Sequence, residues 1–256
     1  MNTLRLKSSV TAAAIHLACS ATLVILFSLF IVFLWFPLPL LDELNVRELL
    51  ILLAVVDVMS GPIITLITYN PKKRKRERAK EITIIACLQS AFFAYGIFKI
   101  YENRPVFLAF EGDAVRVVRY IDIEDSSEKA KKLKEYSSLL GVTQIGTNLL
   151  KPTDPNYVQS IKKALQGIPP SFRPERWTAY ETQKELVLNK IKSFNSIRQD
   201  SHYKLLLNKW IEEHNIEKSS IGYLPLTVIN NTSWIALINR KNAVIVGYLP
   251  IDGWQD

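Results

Sequence analysis

The residues able to do chemistry are few and scattered. Outside the apolar N-terminal runs the histidines are His202 and His214. Twelve residues apart on one helix they would stand about 120° apart, which argues against a shared metal ion. There is no H-E-x-x-H, no G-x-S-x-G, no phosphate-binding glycine loop and no paired-cysteine motif. Asn231-Thr232-Ser233 matches a glycosylation sequon, but asparagine also suits the backbone of a turn there. Cys19 and Cys87 both fall in apolar runs, so the region from residue 102 onward has no disulfide framework. The sequence offers no cofactor or metal site.

The unusual polar residues lie where polarity is costly. VVDVMSGPIITLITYNPKKRKRERAK, residues 55–80, places Asp57 inside an apolar run and Gly61-Pro62 four residues on. An acid at the centre of a membrane helix costs about 2.5–3.5 kcal/mol on insertion scales, so it should face protein or water. His16, Thr22, Gln89 and Tyr95 are polar groups on other apolar runs, and depth counting puts the Tyr95 hydroxyl level with Asp57 as its candidate partner. Pro62 should free the carbonyl of Val58 and kink the helix, Gly61 should admit a close neighbour, and Ser60 is placed to satisfy freed backbone groups. Three readings stand at this level: mutual satisfaction that packs a bundle, a groove for a partner's helix built on Asp57, Gly61, Pro62 and Tyr95, or an ion path. One mid-depth acid suits the last poorly.

These groups need long apolar elements to hold them. The chain has 256 residues, 48% of them hydrophobic, and a mean hydropathy of +0.10. Residues 12–36, 49–69 and 82–101 form three runs long enough to cross a ~30 Å hydrocarbon core. The first is too long for a cleaved signal's h-region and has no small-x-small site after it, so it reads as a retained anchor. Trp35, Phe36, Tyr69 and Tyr101 close the runs with interfacial aromatics, and Pro37 and Pro39 should end the first helix.

Charge then sets direction. The net charge is +8, a value that invites a nucleic-acid reading. Yet seven basic residues, Lys72, Lys73, Arg74, Lys75, Arg76, Arg78 and Lys80, are packed beside one apolar run. That position marks a topology signal, not a nucleic-acid site. Arg5 and Lys7 precede the first run, while the first connector carries Asp42, Glu43 and Glu48 against Arg47. The positive-inside rule puts the N-terminus and the second connector in the cytoplasm and residues 102–256 on the far side. The basic connector also suits anionic lipid.

Beyond Arg104-Pro105, VFLAF-EGD-AVRVVRYI reads as a hairpin. Residues 126–140 read as a charged helix capped by Gly141, and Thr153-Asp154-Pro155 as a helix start with Val158, Ile161 and Leu165 on one face. Val187, Ile191 and Phe194 repeat at helical spacing between Thr178 and Asn195. Tyr203, Leu206, Leu207 and Trp210 do so in the next segment. Both of these stripes are read as core, with a partner-binding face as the alternative. Three β-rich runs close the chain as an antiparallel meander, with turns at Asn230-Asn231-Thr232 and Arg240-Lys241-Asn242. The fold class is thus a membrane protein: a three-helix anchor, residues 1–101, followed by an α+β extracytoplasmic domain, residues 102–256.

Three motifs give a family likeness: His16 with Trp35-Phe36-Pro37, then VVDVMSGPIITLITYNPKK, then YENRPVFLAFEGDAVRVV. In these the chain resembles the TfpX/TfpZ family of type IV pilin accessory proteins, inner-membrane proteins of Gram-negative bacteria. The likeness is dense over residues 11–120; beyond that only the layout and the closing run to Gly253-Trp254 are familiar. Asp57, Gly61, Pro62, Arg104 and Pro105 match its motif positions, and the basic connector is longer than the family's short one. The resemblance implies a non-enzymatic chaperone or modulator of a cognate major pilin, acting in pilus assembly and twitching motility. It implies no catalytic residue, and its partners would be the pilin, the bilayer and other inner-membrane pilus components. A membrane-anchored enzyme with a periplasmic active site is the alternative.

Overall fold

The computed structural model describes residues 3–36, 41–197, 201–229 and 231–254. Pro37, Pro39 and Asn230, given roles above as helix stops and a turn residue, lie outside the described residues. The chain divides into two units, residues 1–103 and 104–256.

The first unit is three long helices: α1 (Thr3–Phe30), extended by a π-helical turn (Ile31–Trp35), α2 (Val46–Thr68) and α3 (Lys75–Asn103). Each is long and apolar enough to cross a membrane. Large apolar side chains such as Ile25, Leu52, Ile67 and Ile84 point outward. A helix apolar all round with its hydrophobic side chains exposed needs an apolar solvent. Burial inside the unit takes in apolar positions such as Val24, Leu53, Ile85 and Ile100 together with small and polar ones, Ser9, Ala13, Asp57, Gly61 and Thr65. α2 continues through Pro62 as one helix. Ser60 donates to the Val56 carbonyl, not to that of Val58, so its hydroxyl does not repair the proline's missing bond.

The second unit is a mixed sheet with helices against it. The order is β4-β3-β1-β2-β5-β6-β7, with β1 Pro105–Glu111, β2 Ala114–Arg119, β3 Thr143–Thr147, β4 Trp177–Ala179, β5 Ile221–Val228, β6 Asn231–Asn239 and β7 Ile245–Leu249. The β1–β2 hairpin is antiparallel about Gly112, whose φ of +80° suits a residue without Cβ. The C-terminal meander β5–β6–β7 is antiparallel as read. What joins them is a short parallel contact, Val115 with Leu226 and Arg116 with Thr227. Pro225, with no N–H to donate, immediately precedes that join. β1 is buried almost throughout and β5 throughout, as expected of strands covered on both faces.

Two apolar clusters form the core of this unit. One gathers Phe107, Val118, Ile145 and Trp177, with Phe107 and Trp177 edge to face. The other packs Leu207 and Trp210 of α7 (Ser201–His214) on Tyr223, Ile235 and Leu249. Tyr203 and Leu206 lie against it, so that stripe is core.

Other expectations need correction. The helix expected over 126–140 is α4, Lys129–Tyr136, and it ends at Ser137, so Gly141 caps nothing and serves instead in the turn before β3. The stretch from Thr178 to Asn195 divides into β4, a 3₁₀ turn, α6 (Lys184–Lys190) and a second 3₁₀ turn. Val187 and Phe194 are buried nonetheless, while Ile191 follows the helix. Strands β3 and β4 escaped the reading because each is short, five and three residues, and each holds one large apolar side chain, Ile145 and Trp177.

α5 is the clearest reversal. It starts at Tyr157, not at Asp154-Pro155, and runs to Leu165. The sequence puts Val158, Ile161 and Leu165 on one face, and all three are exposed, at 76%, 45% and 85%. The buried member is Ser160, because its hydroxyl oxygen accepts a 2.8 Å hydrogen bond from the buried Arg173. An interior guanidinium needs an oxygen, and that need outweighs burial of three aliphatic side chains.

Candidate functional site

α2 presents Leu53, Asp57, Gly61 and Thr65 at successive four-residue steps, one face of a helix, and all are buried. The absence of a side chain at Gly61 is what lets α3 contribute. A Cβ there would lie 2.0 Å from Gln89 Nε2, so the Gln89 side chain crosses the helix at this gap. Its Nε2 donates to the Asp57 carbonyl oxygen at 2.9 Å. Its Oε1 therefore turns to His16 Nε2 on α1, 2.5 Å away. An amide oxygen can only accept, so the imidazole donates from Nε2. Nδ1 then accepts from the Thr65 hydroxyl at 2.7 Å. A neutral imidazole satisfies every bond in this chain, and the chain ties all three helices together. Thr65 is the member that sequence reading missed; its eight-residue spacing from Asp57 was the available signal.

The Asp57 carboxyl group stands outside the network. The residue is 4% exposed, and neither carboxyl oxygen has a hydrogen-bond partner among the described residues. Tyr95, the expected partner, is 63% exposed and does not bond to it; its ring lies instead near the Lys99 ammonium. Thr22 is committed to the Ala18 carbonyl of its own helix. Asp57 lines two clefts. One, about 330 Å³, is shared with His16, Cys19, Gln89 and Phe93. The other, about 300 Å³, lies between α2 and α3 with Leu49, Leu53, Phe92, Tyr95 and Gly96. Gly61 and Pro62 line neither, because Gln89 covers Gly61. Of the four residues proposed for a groove, the clefts bring together Asp57 and Tyr95 only.

The basic segment is partly helical, since α3 begins at Lys75. Lys75, Arg76 and Arg78 thus sit at a helix N-terminus, where the helix dipole disfavours cations. Lys73 pairs with Glu81 at 2.5 Å, and Arg78 bonds the Tyr69 hydroxyl at 3.2 Å.

The second unit holds no group of three or more metal-ligating side chains among the described residues. His202 and His214 are both on α7. His214 is spent on the Trp210 carbonyl and stacks on the Trp210 ring at 4.2 Å. Asn231 opens β6, and its side-chain oxygen accepts from the Ser233 N–H at 2.8 Å. Cys19 and Cys87 are free thiols.

A three-helix unit with apolar flanks and an internal polar network, followed by an α+β unit on one mixed sheet, defines a class of two-part chains with a candidate membrane anchor. Two known relatives align with the chain over its full length. The chain is 29% identical over its full length, and over the relative's full length, to the fimbrial assembly protein of serogroup I from Dichelobacter nodosus. It is 28% identical over the same full extent to that of serogroup E1. It is 34% identical over 123 residues to the protein of serogroups C1 and C2, covering 48% of this chain and 94% of that one. The chain belongs to this family of fimbrial assembly proteins. No family model and no solved structure matches it.

Proposed function

We propose that this protein is a non-enzymatic accessory factor for type IV pilus assembly, of the TfpX/TfpZ kind, acting on a cognate major pilin. The observation that carries the reading is full-length similarity to proteins named for fimbrial assembly. The three helices anchor the chain in the bacterial inner membrane. The Lys72–Lys80 segment and N-terminus lie in the cytoplasm, and residues 104–256 lie in the periplasm. The seven cations of that segment, clustered where the helix dipole opposes them, support this orientation.

In this reading a pilin subunit waits in the same membrane with one apolar helix embedded and its head outside. A partner anchored beside it gains effective concentration without any added contact. The cleft between α2 and α3, walled by Leu49, Leu53 and Phe92 and floored by the unpaired Asp57 carboxyl group, is the place for the pilin's helix. Pairing there would give Asp57 the donor that no described residue of this chain provides.

The test has two arms. Deleting the gene should remove most surface pili, and wild-type copies should restore them. Photo-crosslinkers at Leu49, Leu52 and Phe92, and at exposed positions of the second unit, should capture the pilin. Normal piliation in the deletion strain, or capture from no position in either unit, overturns the proposal.

A further inference from the structure

The second unit contains a buried cation with no ion-pair partner among the described residues. Arg173 is 2% exposed. Its one hydrogen-bond acceptor among the described residues is Ser160 Oγ, at 2.8 Å from Nη2, and its Nε is buried without a partner. No carboxylate among the described residues forms an ion pair with it. Burial pushes its guanidinium below its ordinary range, against the opposing pull of Glu175. An interior charge so placed is expensive, at several kcal/mol before compensation.

Arg173 forms the inner wall of an open cleft of about 240 Å³. Around it stand Arg176, Lys163, Ser160, Asn156 and Gln159, with the exposed Glu175 among the lining residues. The inventory of unused groups is one-sided. Arg176 Nε is also buried and unpartnered. The Ser160 oxygen accepts from Arg173, so its own O–H proton is available to a ligand. Lys163 is neutralised by Glu124 at 2.7 Å. Glu111, which also acts on Arg173, is neutralised by Arg116 at 3.0 Å. That leaves two guanidinium groups facing one carboxylate not so neutralised, Glu175, which pairs with neither within ion-pair distance among the described residues. The cleft is rich in donors and one negative charge short.

The geometry points to a binding site for a single carboxylate group, held by Arg173 and Arg176 with Ser160 as a further donor. A monoanion balances the cleft; a phosphate dianion would overfill it. A guanidinium presents the planar donor pair that a carboxylate matches. The reversal of α5, which buries Ser160 and leaves Val158 and Leu165 outside, is the local cost of building this site. The inference is independent of whether the partner is a pilin.

The full chain in detergent micelles tests it by hydrogen–deuterium exchange over residues 154–178. The additives are sodium acetate, a blocked Ala-Glu-Ala peptide, inorganic phosphate and sodium chloride, at one ionic strength. Acetate or the peptide at ten times its dissociation constant should slow exchange about tenfold there, relative to chloride. The blocked peptide binding more tightly than acetate identifies a polypeptide carboxylate; equal binding identifies a small free one. Arg176→Gln, at the half-buried arginine, should weaken carboxylate binding at least about tenfold. Arg173→Lys, which keeps the charge and loses the fork, should weaken it as well. No carboxylate effect beyond chloride, stronger protection by phosphate, or unchanged binding in a folded Arg176→Gln protein overturns the assignment.

Discussion

Gly61→Ala tests the account of the helical unit most sharply. The added Cβ would stand 2.0 Å from Gln89 Nε2 and 2.4 Å from Gln89 Cδ, so the two cannot coexist. Gln89 ends a flexible side chain and can swing away, which avoids a backbone shift. Its departure breaks two contacts, to the Asp57 carbonyl at 2.9 Å and to His16 Nε2 at 2.5 Å. Interhelical hydrogen bonds in membranes average about 0.6 kcal/mol by double-mutant cycles, with a ceiling near 1.7. Two such bonds total about 1.2–3.4 kcal/mol; less the helix-propensity gain of about 1 kcal/mol that Ala over Gly provides, the net loss is about 0.2–2.4 kcal/mol. The assay is reversible unfolding of the full chain in mixed micelles, run as a cycle with Gln89→Ala. In the Gln89→Ala background Gly61→Ala should cost nothing or stabilise, so nearly the whole penalty should appear as coupling energy. A Gly61→Ala cost unchanged by Gln89→Ala would refute the reasoning, since Gly61 would then answer to some contact other than Gln89.

Two further outcomes follow from the second unit. A Cβ at Gly247 would meet three atoms of the Trp210 indole at 2.6–2.9 Å. That ring is buried and stacked on His214, so it cannot yield as Gln89 can. Gly247→Ala should therefore destabilise by about 1–3 kcal/mol in thermal or denaturant unfolding, as overpacking does. Burial pushes the Tyr248 phenol up to about 12 from 10.0. A raised folded-state value favours the protonated form, so this stability is complete below pH 10 and is lost as the pH rises from 10 through about 12. Tyr248→Phe should flatten the stability profile over that window; an identical alkaline slope in the variant would refute the assignment.

The sequence was most informative where one physical requirement dominated. Three apolar runs at membrane length became α1, α2 and α3, and the alternating C-terminal runs became β5, β6 and β7. It was least informative where burial of a polar group inverted the usual pattern. Val158, Ile161 and Leu165 have core spacing, but Ser160 was needed inside by an arginine thirteen residues later, which no local periodicity can announce. The junction of β2 with β5 was equally hidden, since residues 115 and 226 pair across more than a hundred positions. In the helical unit His16 and Gln89 could be picked out as polar residues in apolar runs. Their joining through Gly61 needed the rotation of α3, which composition does not fix. Tyr95 illustrates the same gap: its depth matches Asp57, yet its side chain faces outward.

The two units share one energetic feature, and stability cannot explain it. Asp57 and Arg173 are each nearly inaccessible, and neither has an ion-pair partner among the described residues. Replacing a buried charge with a well-packed apolar side chain is often neutral or stabilising. A chain assembled for stability alone would thus do as well with leucine at either place. The His16–Gln89–Thr65 network shows that the helical unit can pair its polar groups when pairing within the chain suffices. Asp57 stands beside that network and takes no part in it with its side chain. Each unpaired charge also borders a cleft wide enough to admit a group from outside. On the two proposals made above, the missing counter-group, a donor for Asp57 and an acceptor for Arg173, belongs to another molecule. For a protein that assists assembly, contacts left incomplete until a subunit arrives favour the bound state without stabilising the free one.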